Sequence, residues 1–464
     1  MLEKFFKLKE NNTNVKTEVL AGVTTFMTMA YILAVNPSTM TAFNDILGLE
    51  GSARMNPNGV FMATALAAFF GTLLMALLAN YPFALAPGMG LNAYFAYTVV
   101  VKMGYTWQVA LAAVFVEGLI FILLSLTNVR EAIFNAIPKT LKFAVSCGIG
   151  LFIAFIGLQN AHIVENSDAT LVQFHSFLAE GVTRTANVAV ILAILGVIIT
   201  AILLVKQVKG GILFGILITW ILGIICQLTG LYSVDAVAGR YSLLPDFSSG
   251  LQFASLGDVA LKVDFSGILS LDFVVVVFAF LFVDMFDTLG TLIGVSAKAN
   301  MLDKDGKLPR IKGALLSDAI GTLVGSLLGT STTTTYVESA TGVSEGGRTG
   351  LTALTTSILF LLSIFLSPIF LAIPSFATAP ALIIVGFYMM GSISNIDFTD
   401  MSEAIPAFIC IIAMPFTYSI SEGIFFGVIS YVVINLITGK AKEKKISLLM
   451  YALAIIFVLK YVFI

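Results

Sequence analysis

The sequence predicts an all-α polytopic membrane protein, and three observations support this fold class. Of its 464 residues, 58% are hydrophobic and only 11% are charged, which is outside the usual composition of soluble domains. Apolar segments long enough to cross a bilayer recur along the chain, and two of them are interrupted. Short sequences around the interruptions also match between the two halves of the chain. We therefore expect about fourteen spans in two inverted repeats of about seven, with the third and tenth spans interrupted by short extended segments.

Charge, cysteine and histidine usage exclude several classes of protein. A net charge of −2 over the whole chain provides no basic surface for nucleic acid. Cys147, Cys226 and Cys410 lie in apolar runs without CxxC spacing, so neither a disulfide nor a zinc site is expected. His162 and His175 are too few for haem or dinuclear metal sites built on histidine clusters. A transporter, a channel or a membrane enzyme remains.

The spans follow one another from the amino terminus. The apolar run 19–35 contains threonines and no cleavage site, so it predicts a first span and not a signal peptide. Further segments that fit a hydrocarbon core about 30 Å thick lie at 60–79, 88–101, 108–127, 140–158, 187–205, 211–231, 271–296, 313–329, 341–347 with its flanks, 351–373, 375–393, 404–419 and 421–437. The last apolar run, 446–463, follows a lysine cluster and predicts either an interfacial helix or a fifteenth span.

Lysine and arginine fix the orientation, because short basic loops stay on the cytoplasmic side. With the amino terminus inside, the basic loops at 130–142, 206–209, 298–312 and 440–445 all fall on the cytoplasmic side. The longer loops richer in Asp, Glu and Ser then fall outside. We therefore expect a multi-pass protein of the cytoplasmic membrane with a cytoplasmic amino terminus.

Two sequence matches predict the inverted repeat. Residues 69–88 align without gaps over 323–342, and 210–218 align over 422–430, with shared glycine and leucine positions. These pairs place the third span on the tenth and the seventh on the fourteenth. Because each half then holds an odd number of spans, the two halves enter the membrane from opposite sides.

The two interrupted spans, 82–92 and 330–347, predict a site near the membrane midplane, where unwound backbone is tolerated only beside a cavity. The β-branched run 331–337 predicts a short extended segment, and 81–86 is its expected partner. The two segments could share ladder hydrogen bonds. Each is followed by a half-helix whose first N–H groups would point into the cavity.

Three acids lie within spans, where a charge is costly and predicts function. Glu338 follows the second extended segment, and Asp284 and Asp287 are three residues apart on one helix face. Such a pair of acids suits proton binding. Two structural alternatives stay open: Glu338 could pair with Arg348, and one aspartate could merely bind backbone or threonine groups. Glu117 predicts a structural hydrogen bond between helices.

Polar and aromatic neighbours complete the candidate cavity. Asn92, after the first interruption, offers donor and acceptor groups that would suit the edge of a flat heterocycle. The threonines of the first span could line the same cavity or bond to their own helix, and the aromatic residues could stack on a ligand or simply pack. The further candidate cavity-lining residues are Thr25, Thr28, Phe83, Thr288, Tyr336 and Ser339.

Four long motifs resemble a known family. GVTTFMTMAYILAVNP in the first span, APGMGLNAYFAY in the third, FVDMFDTLGTLIGV in the eighth and TTTTYVESATGV in the tenth occur in order over essentially the whole chain. Together they resemble the AzgA-like purine permeases of the nucleobase/ascorbate transporter superfamily. The resemblance implies a core domain of spans 1–4 and 8–11, and a gate domain of spans 5–7 and 12–14. The corresponding segments are 1–127 and 271–373 for the core, 128–231 and 374–437 for the gate, and 438–464 for a basic linker with the apolar end.

The resemblance also implies function. Members of that family move adenine, guanine or hypoxanthine inward with protons, so the expected partners are a purine base and the lipid bilayer, with the proton as coupling ion and no cofactor. Carried over by motif, Asn92, Asp284 and Glu338 would bind substrate. Gly90, Asp287 and again Glu338 would serve transport and proton coupling, and Gly90 would leave backbone room beside the ligand.

Several points stay open at this level. The fold could carry uracil, xanthine or an inorganic anion such as sulfate, although three acids argue against an anion. A membrane enzyme would need a nucleophile and base set that the sequence lacks, and a channel would lack the paired acidic interruptions. The preferred purine, the acid that carries the proton, a homodimer, and rocking or elevator motion are undetermined.

Overall fold

A computed structural model describes residues 2–127, 137–167, 169–179, 182–234, 242–245, 255–266, 268, 270–298, 301 and 308–463. The described chain is mostly helical, which confirms the predicted fold class. In chain order its helices are α1 (Leu2–Phe6), α2 (Val15–Met29), α3 (Ile32–Met40), α4 (Phe43–Ile46), α5 (Pro57–Leu74), α6 (Met89–Ala93), α7 (Trp107–Leu126), α8 (Lys139–Asn160), α9 (Arg184–Val205), α10 (Gly211–Leu228), α11 (Leu271–Lys298), α12 (Ile311–Leu328), α13 (Ser339–Ser344), α14 (Gly350–Leu362), α15 (Ser367–Leu371), α16 (Ser375–Met390), α17 (Met401–Thr417), α18 (Ile420–Ile437) and α19 (Leu448–Phe463).

Short irregular helices and strands fill in the rest. π-helical turns extend α5 over Met75–Ala79 and α6 over Tyr94–Lys102. The strands are β1 (Leu85–Pro87), β2 (Val164–Ser167), β3 (Leu171–Phe174) and β4 (Thr333–Thr335). Within the described residues, ten helical segments are long and apolar enough to cross a membrane. This makes the protein multi-pass, while the count of fourteen spans stays a prediction.

The two interrupted segments meet as an antiparallel pair. β1 pairs with β4 in the register Leu85 with Thr335 and Pro87 with Thr333, and every residue of both strands is buried. The observed strands are shorter than the predicted extended runs, and β1 begins later than the 81–86 segment expected. β1 and β4 start 248 positions apart in the chain, at Leu85 and Thr333. The gapless alignment matches Gly88 to Gly342, 254 positions apart, so it matches β1 to residues six positions beyond β4.

Packing sorts the long helices into two groups. A core group contains α2, α3, α5, α7, α12 and α14, and a gate group contains α8, α9, α10, α16, α17 and α18. β1 and β4 lie against α5 and α12 of the core group, while α6 and α11 also contact α8 of the gate group. The members of the two groups lie within the segments predicted for core and gate. Their movement as two domains stays a prediction.

A buried carboxylate ties the first helix of the core group to the last. Glu18 on α2 is 0% exposed and accepts hydrogen bonds from the hydroxyls of Thr349 at 2.8 Å and Thr352 at 2.6 Å. It also accepts from the backbone N–H of Arg348 at 2.9 Å. A carboxylate at the start of a helix satisfies N–H groups that have no partner inside that helix. Glu18 therefore fixes α14 against α2.

The apolar run near the carboxyl terminus forms helix α19, which packs along α18. Phe457 of α19 and Phe425 of α18 have ring centroids 4.1 Å apart. The basic linker before α19 is held by Lys444, which contacts Asp400 and lies 3.2 Å from Glu403. The lysine cluster therefore anchors the linker to the start of α17 in the gate group.

Candidate functional site

The crossing of β1 and β4 forms the centre of the candidate site. Beyond the strand pair, the N–H of Gly88 donates to Thr332 at 2.9 Å and the N–H of Tyr336 donates to Ala84 at 3.0 Å. These bonds satisfy backbone groups that have no helical partner, which membrane interiors require. Two unwound segments can therefore lie inside a membrane without exposing unpaired peptide groups to lipid.

Two threonines on neighbouring helices each bind the backbone of one strand residue, both its carbonyl and its N–H. The Thr72 hydroxyl on α5 donates to the carbonyl of Leu85 at 3.0 Å and accepts from its N–H at 2.9 Å. The Thr322 hydroxyl on α12 donates to the carbonyl of Thr333 at 3.1 Å and accepts from its N–H at 3.2 Å. Each strand thus has one threonine clamp, which repeats between the halves of the chain. These clamps were not predicted, since threonines that bond to distant backbone look like any other helix threonine in sequence.

Asn92 lies in α6, directly after β1, and is 0% exposed. Its Oδ1 accepts a hydrogen bond from the Ser331 hydroxyl, which precedes β4. Its Nδ2 contacts the sulfur of Met89 at 3.9 Å, and sulfur is a weak acceptor. The described contacts therefore leave the amide N–H₂ group able to donate to a ligand.

Glu338 lies at the other end of the crossing, where it precedes α13. Its Oε1 accepts from the Tyr31 hydroxyl at 2.7 Å, and Tyr31 is 0% exposed. The alternative pairing with Arg348 is not made, because that guanidinium donates to the carbonyls of Val343 and Gly347, both at 2.7 Å. Among the side chains of the described residues, Tyr31 is the one that donates to this carboxylate, and it binds Oε1 and not Oε2.

The two aspartates of α11 face different neighbours. Asp284 accepts from the Thr288 hydroxyl one turn later at 2.8 Å, and the same hydroxyl lies 2.8 Å from Oδ1 of Asp318 on α12. Asp287 instead accepts from the Thr334 hydroxyl of β4 at 3.3 Å. Both aspartates therefore accept from a threonine, and Asp287 does so at the crossing, so the question of which one is merely structural stays open. The ligand and proton roles assigned to both by resemblance stay predictions.

The space beside Gly90 is filled by the gate group. A Cβ built on Gly90 would lie 2.8 Å from Cγ2 of Ile149 on α8, closer than real Cβ atoms approach. The predicted reason for this glycine was backbone room beside a ligand. Close packing of α6 against α8 is a reason that the structure adds, while the role beside a ligand stays a prediction.

Three of the candidate cavity-lining residues make contacts within the core group. Thr25 donates to the carbonyl of Ala21 at 3.1 Å. This is the bond to its own helix that was the alternative to a place in the cavity lining. The hydroxyl of Thr28 lies 3.0 Å from that of Thr341, which joins α2 to α13. Ser339 accepts from the N–H of Ala84 at 3.0 Å and so ties α13 to the chain before β1. These hydroxyls build the site's frame.

The two candidate aromatic residues also have protein partners. Phe83 stacks on Tyr81 with ring centroids 5.2 Å apart and an interplanar angle of 19°. Tyr336 donates its hydroxyl to the carbonyl of Pro87 on the paired strand. Both side chains are buried, and their positions in the chain lie at the same end of the crossing, where Leu85 pairs with Thr335.

Three residues of the site were missed in the sequence. Tyr31 lies inside the first motif but is an aromatic residue among many. Asp318 is a buried acid in the segment 313–329, and the rule that singled out Glu338 applies to it equally. Ser331 belongs to the predicted extended run, but no pattern indicates that it bonds to Asn92. Glu117 was predicted to bond between helices, whereas the bond shown is with the hydroxyl of Thr332, in the unwound segment before β4, at 2.6 Å.

This fold and candidate site are those of a class of protein, the multi-pass membrane transport proteins, with the candidate site where two interrupted segments cross. A protein-family model, Xan_ur_permease, described as "Permease family", matches residues 16–426. The chain belongs to this permease family, and the resemblance to the purine permeases of the nucleobase/ascorbate superfamily is confirmed.

Individual relatives and a solved structure agree with this membership. The guanine/hypoxanthine permease PbuG of Bacillus subtilis is 44% identical, with 100% of both chains covered. The adenine permease AdeP of Escherichia coli is 42% identical over 100% of this chain and 96% of the relative. The transmembrane domain of a cyanobacterial bicarbonate transporter, BicA, has a TM-score of 0.61 at 16% identity, covering 89% of this chain and 97% of that one. At that identity the last likeness shows a shared fold.

Proposed function

We propose that the protein takes up purine nucleobases by proton symport with alternating access. The observation that carries this proposal is the placement of Asn92 and Glu338 at the two ends of one strand crossing, each with a polar group left for a ligand. A purine presents N–H donors and ring or carbonyl acceptors on its edges. A carboxylate oxygen and an amide N–H₂ group complement such an edge.

The relatives support the substrate class. Proteins similar over the full length of this chain are named for guanine and hypoxanthine in one case and adenine in another. Both kinds of relative are about equally similar to this chain, so similarity leaves the choice among hypoxanthine, guanine and adenine open.

The two packing groups support alternating access. The crossing is built on the core group, and the gate group covers it through α8, as the contact of Gly90 with Ile149 illustrates. Movement of the core group against the gate group would expose the crossing to one side of the membrane at a time. The acids at the crossing provide groups that a coupling proton could neutralise. A cytoplasmic membrane location with the amino terminus inside belongs to this proposal, on the distribution of basic loops.

An anion carrier is the second candidate, since the bicarbonate transporter shares the fold. The acids Glu338 and Asp287 beside the crossing disfavour it, because an anion would meet like charge there.

Uptake of labelled hypoxanthine into cells, with competition by adenine, guanine, xanthine, uracil and sulfate, tests the function. Glu338→Gln keeps the side chain's shape but removes its charge and one acceptor. We expect uptake by this variant to fall by at least about a hundredfold, because a charged hydrogen bond to the base is lost. Glu50→Gln is the matched control, since Glu50 is exposed and lies in neither interrupted segment. Unchanged proton-dependent uptake by Glu338→Gln, or competition by sulfate alone, would contradict the proposal.

A further inference from the structure

Two hydroxyl groups, which were not among the predicted site residues, show which atoms of the candidate site donate and which accept hydrogen bonds. Ser331 donates to Oδ1 of Asn92, and Tyr31 donates to Oε1 of Glu338 at 2.7 Å. Ser331, Asn92 and Tyr31 are all 0% exposed, so water does not compete for these bonds. Each hydroxyl therefore fixes how its partner presents itself to a ligand.

Ser331 fixes the orientation of the Asn92 amide. A serine hydroxyl could donate to Oδ1 or accept from Nδ2, so this contact alone would allow either orientation. The opposite end of the amide settles it, because that end faces the sulfur of Met89 at 3.9 Å. Nδ2 can donate weakly to sulfur, whereas Oδ1 would place lone pairs against it. The amide thus keeps its oxygen on Ser331 and presents N–H donors.

Tyr31 fixes Glu338 as an acceptor. A hydroxyl donor on Oε1 stabilises the ionised carboxylate and leaves Oε2 to accept from a ligand. The titratable groups that interact electrostatically with Glu338 are Tyr31, Tyr336, Asp287 and Tyr388. Helix α2, which packs on α13, adds Lys16 and Glu18, and α11 adds Asp272 and Asp284. Among these groups Tyr31 is the one with a hydrogen bond to the Glu338 side chain.

We propose that Ser331 and Tyr31 are specificity-determining positioning residues that make the site select 6-oxopurines over adenine. This inference rests on the proposed purine transport. A 6-oxopurine such as hypoxanthine or guanine has acceptors at O6 and N7 and a donor at N1. Adenine has a donor at its 6-amino group and an acceptor at N1.

The chemistry of the bases carries the selectivity. Asparagine pairs with the N6/N7 edge of adenine by accepting with its oxygen and donating with its nitrogen. Ser331 holds Oδ1 toward itself, so the amide is not free to turn its oxygen to the 6-amino group of adenine, and the Nδ2 donor matches an acceptor of an oxopurine, O6 or N7. The carboxylate of Glu338 accepts from N1–H of an oxopurine but meets a lone pair at N1 of adenine. Both polar groups therefore favour the same class of base.

Inhibition constants of hypoxanthine, guanine and adenine against labelled hypoxanthine uptake test the inference. We expect adenine to bind on the order of tenfold more weakly than hypoxanthine in the wild type. Ser331→Ala frees the amide to turn, so this ratio should fall about fivefold toward equality, and Ser331→Thr, which keeps the hydroxyl, should restore it. Ser326→Ala is the control, since Ser326 is equally buried but donates to Leu323 on its own helix at 2.8 Å.

The pH dependence of hypoxanthine binding tests the role of Tyr31 through the variant Tyr31→Phe. Without the tyrosine donor the carboxylate of Glu338 takes up a proton more readily, so the acid side of the hypoxanthine-binding profile should move to higher pH. Tyr97→Phe is the control, because the buried hydroxyl of Tyr97 bonds to Asn160 at 3.1 Å, away from the crossing.

The outcomes separate the two proposals. Absence of uptake or competition by any purine in the wild type would overturn the proposed function itself. Purine uptake in which adenine competes as well as hypoxanthine would overturn the selectivity and leave the function standing. An oxopurine preference that survives Ser331→Ala, together with an unmoved pH profile in Tyr31→Phe, would overturn the roles of these two residues.

Discussion

Thr288 lies between two buried carboxyl groups that belong to different helices. Its hydroxyl is 2.8 Å from both Asp284 and Asp318, and all three side chains are 0% exposed. A threonine hydroxyl has one hydrogen, so it donates to one of these acids, and the second contact needs a hydrogen from a carboxyl group. Sequence analysis identified Asp284 and Thr288 but not Asp318. The bond between α11 and α12 depends on a contact across 30 positions of chain, which no local pattern contains.

Thr288→Val replaces this hydroxyl with a methyl group of similar size. We expect the free energy of unfolding in detergent to fall by about 2 kcal/mol, because buried carboxyl groups lose their shared partner. Thermal unfolding of purified protein measures the change, and Thr288→Ser should recover most of it. Thr291→Val, one turn further along α11, is the control. Equal stability of Thr288→Val and wild type would show that the hydroxyl does not join the two helices.

At the scale of elements, the hairpin of β2 and β3 is joined to α9 by one histidine. Nε2 of His175 is 2.7 Å from Oδ1 of Asn187, whose amide nitrogen donates to Phe177 at 3.0 Å, so Oδ1 must accept. Nδ1 is 2.7 Å from Glu165 of β2. An ionised carboxylate also only accepts, so the arrangement favours an imidazolium with both nitrogens protonated. Burial lowers the pKa of His175, but the bonds to Asn187 and Glu165 outweigh it and raise the pKa above its ordinary value.

This element is therefore expected to be pH-sensitive. Because the folded pKa is the higher one, the stabilisation is complete below the ordinary histidine pKa and is lost as pH rises through the raised value. Hydrogen exchange of residues 164–174, corrected for intrinsic rates, should show protection that declines over this range. His175→Gln should remove the pH dependence, whereas His162→Gln, at an exposed position, should keep it. Protection in the wild type that does not vary with pH would refute the charged-histidine bridge.

The described part of the molecule is organised as two helix groups, and an ion pair connects the gate group to the chain beside the core group. Lys209, in the turn between α9 and α10 of the gate group, lies 2.6 Å from Glu345, which follows α13 beside the core group. The next residue, Gly210, is packed so closely on Met27 of α2 that a Cβ would lie 3.1 Å from its carbonyl oxygen. If the groups move against each other during transport, this contact belongs to one conformation only.

Lys209→Glu should shift the balance away from this conformation by a factor of about five, since partly exposed ion pairs contribute up to about 1 kcal/mol. Spin labels at Leu123 on α7 and Ile202 on α9, both exposed, would report the change as a new distance population. The charge swap Lys209→Glu with Glu345→Lys should restore the original distribution, and Lys206→Glu should leave it unchanged. Failure of the swap to restore it would mean that the pair does not couple the groups.

The sequence by itself determined the helical membrane fold, the family and the position of the two interruptions. Those features depend on apolar length, on β-branched runs and on motif order, which are all local in the chain. It also identified Asn92 and Glu338, because polar groups within spans are costly wherever they occur.

The tertiary structure alone decided what these groups face. It paired β1 with β4, whereas the gapless repeat alignment matches β1 to 339–341, because pairing joins strands nearly 250 residues apart in the chain. It turned Asp284 toward Asp318 and Asp287 toward the crossing, and it gave Gly90 a packing role against α8. It also supplied Tyr31 as the partner of Glu338 and Ser331 as the partner of Asn92. Such partners come together only when distant helices pack, so their identity is a property of the fold.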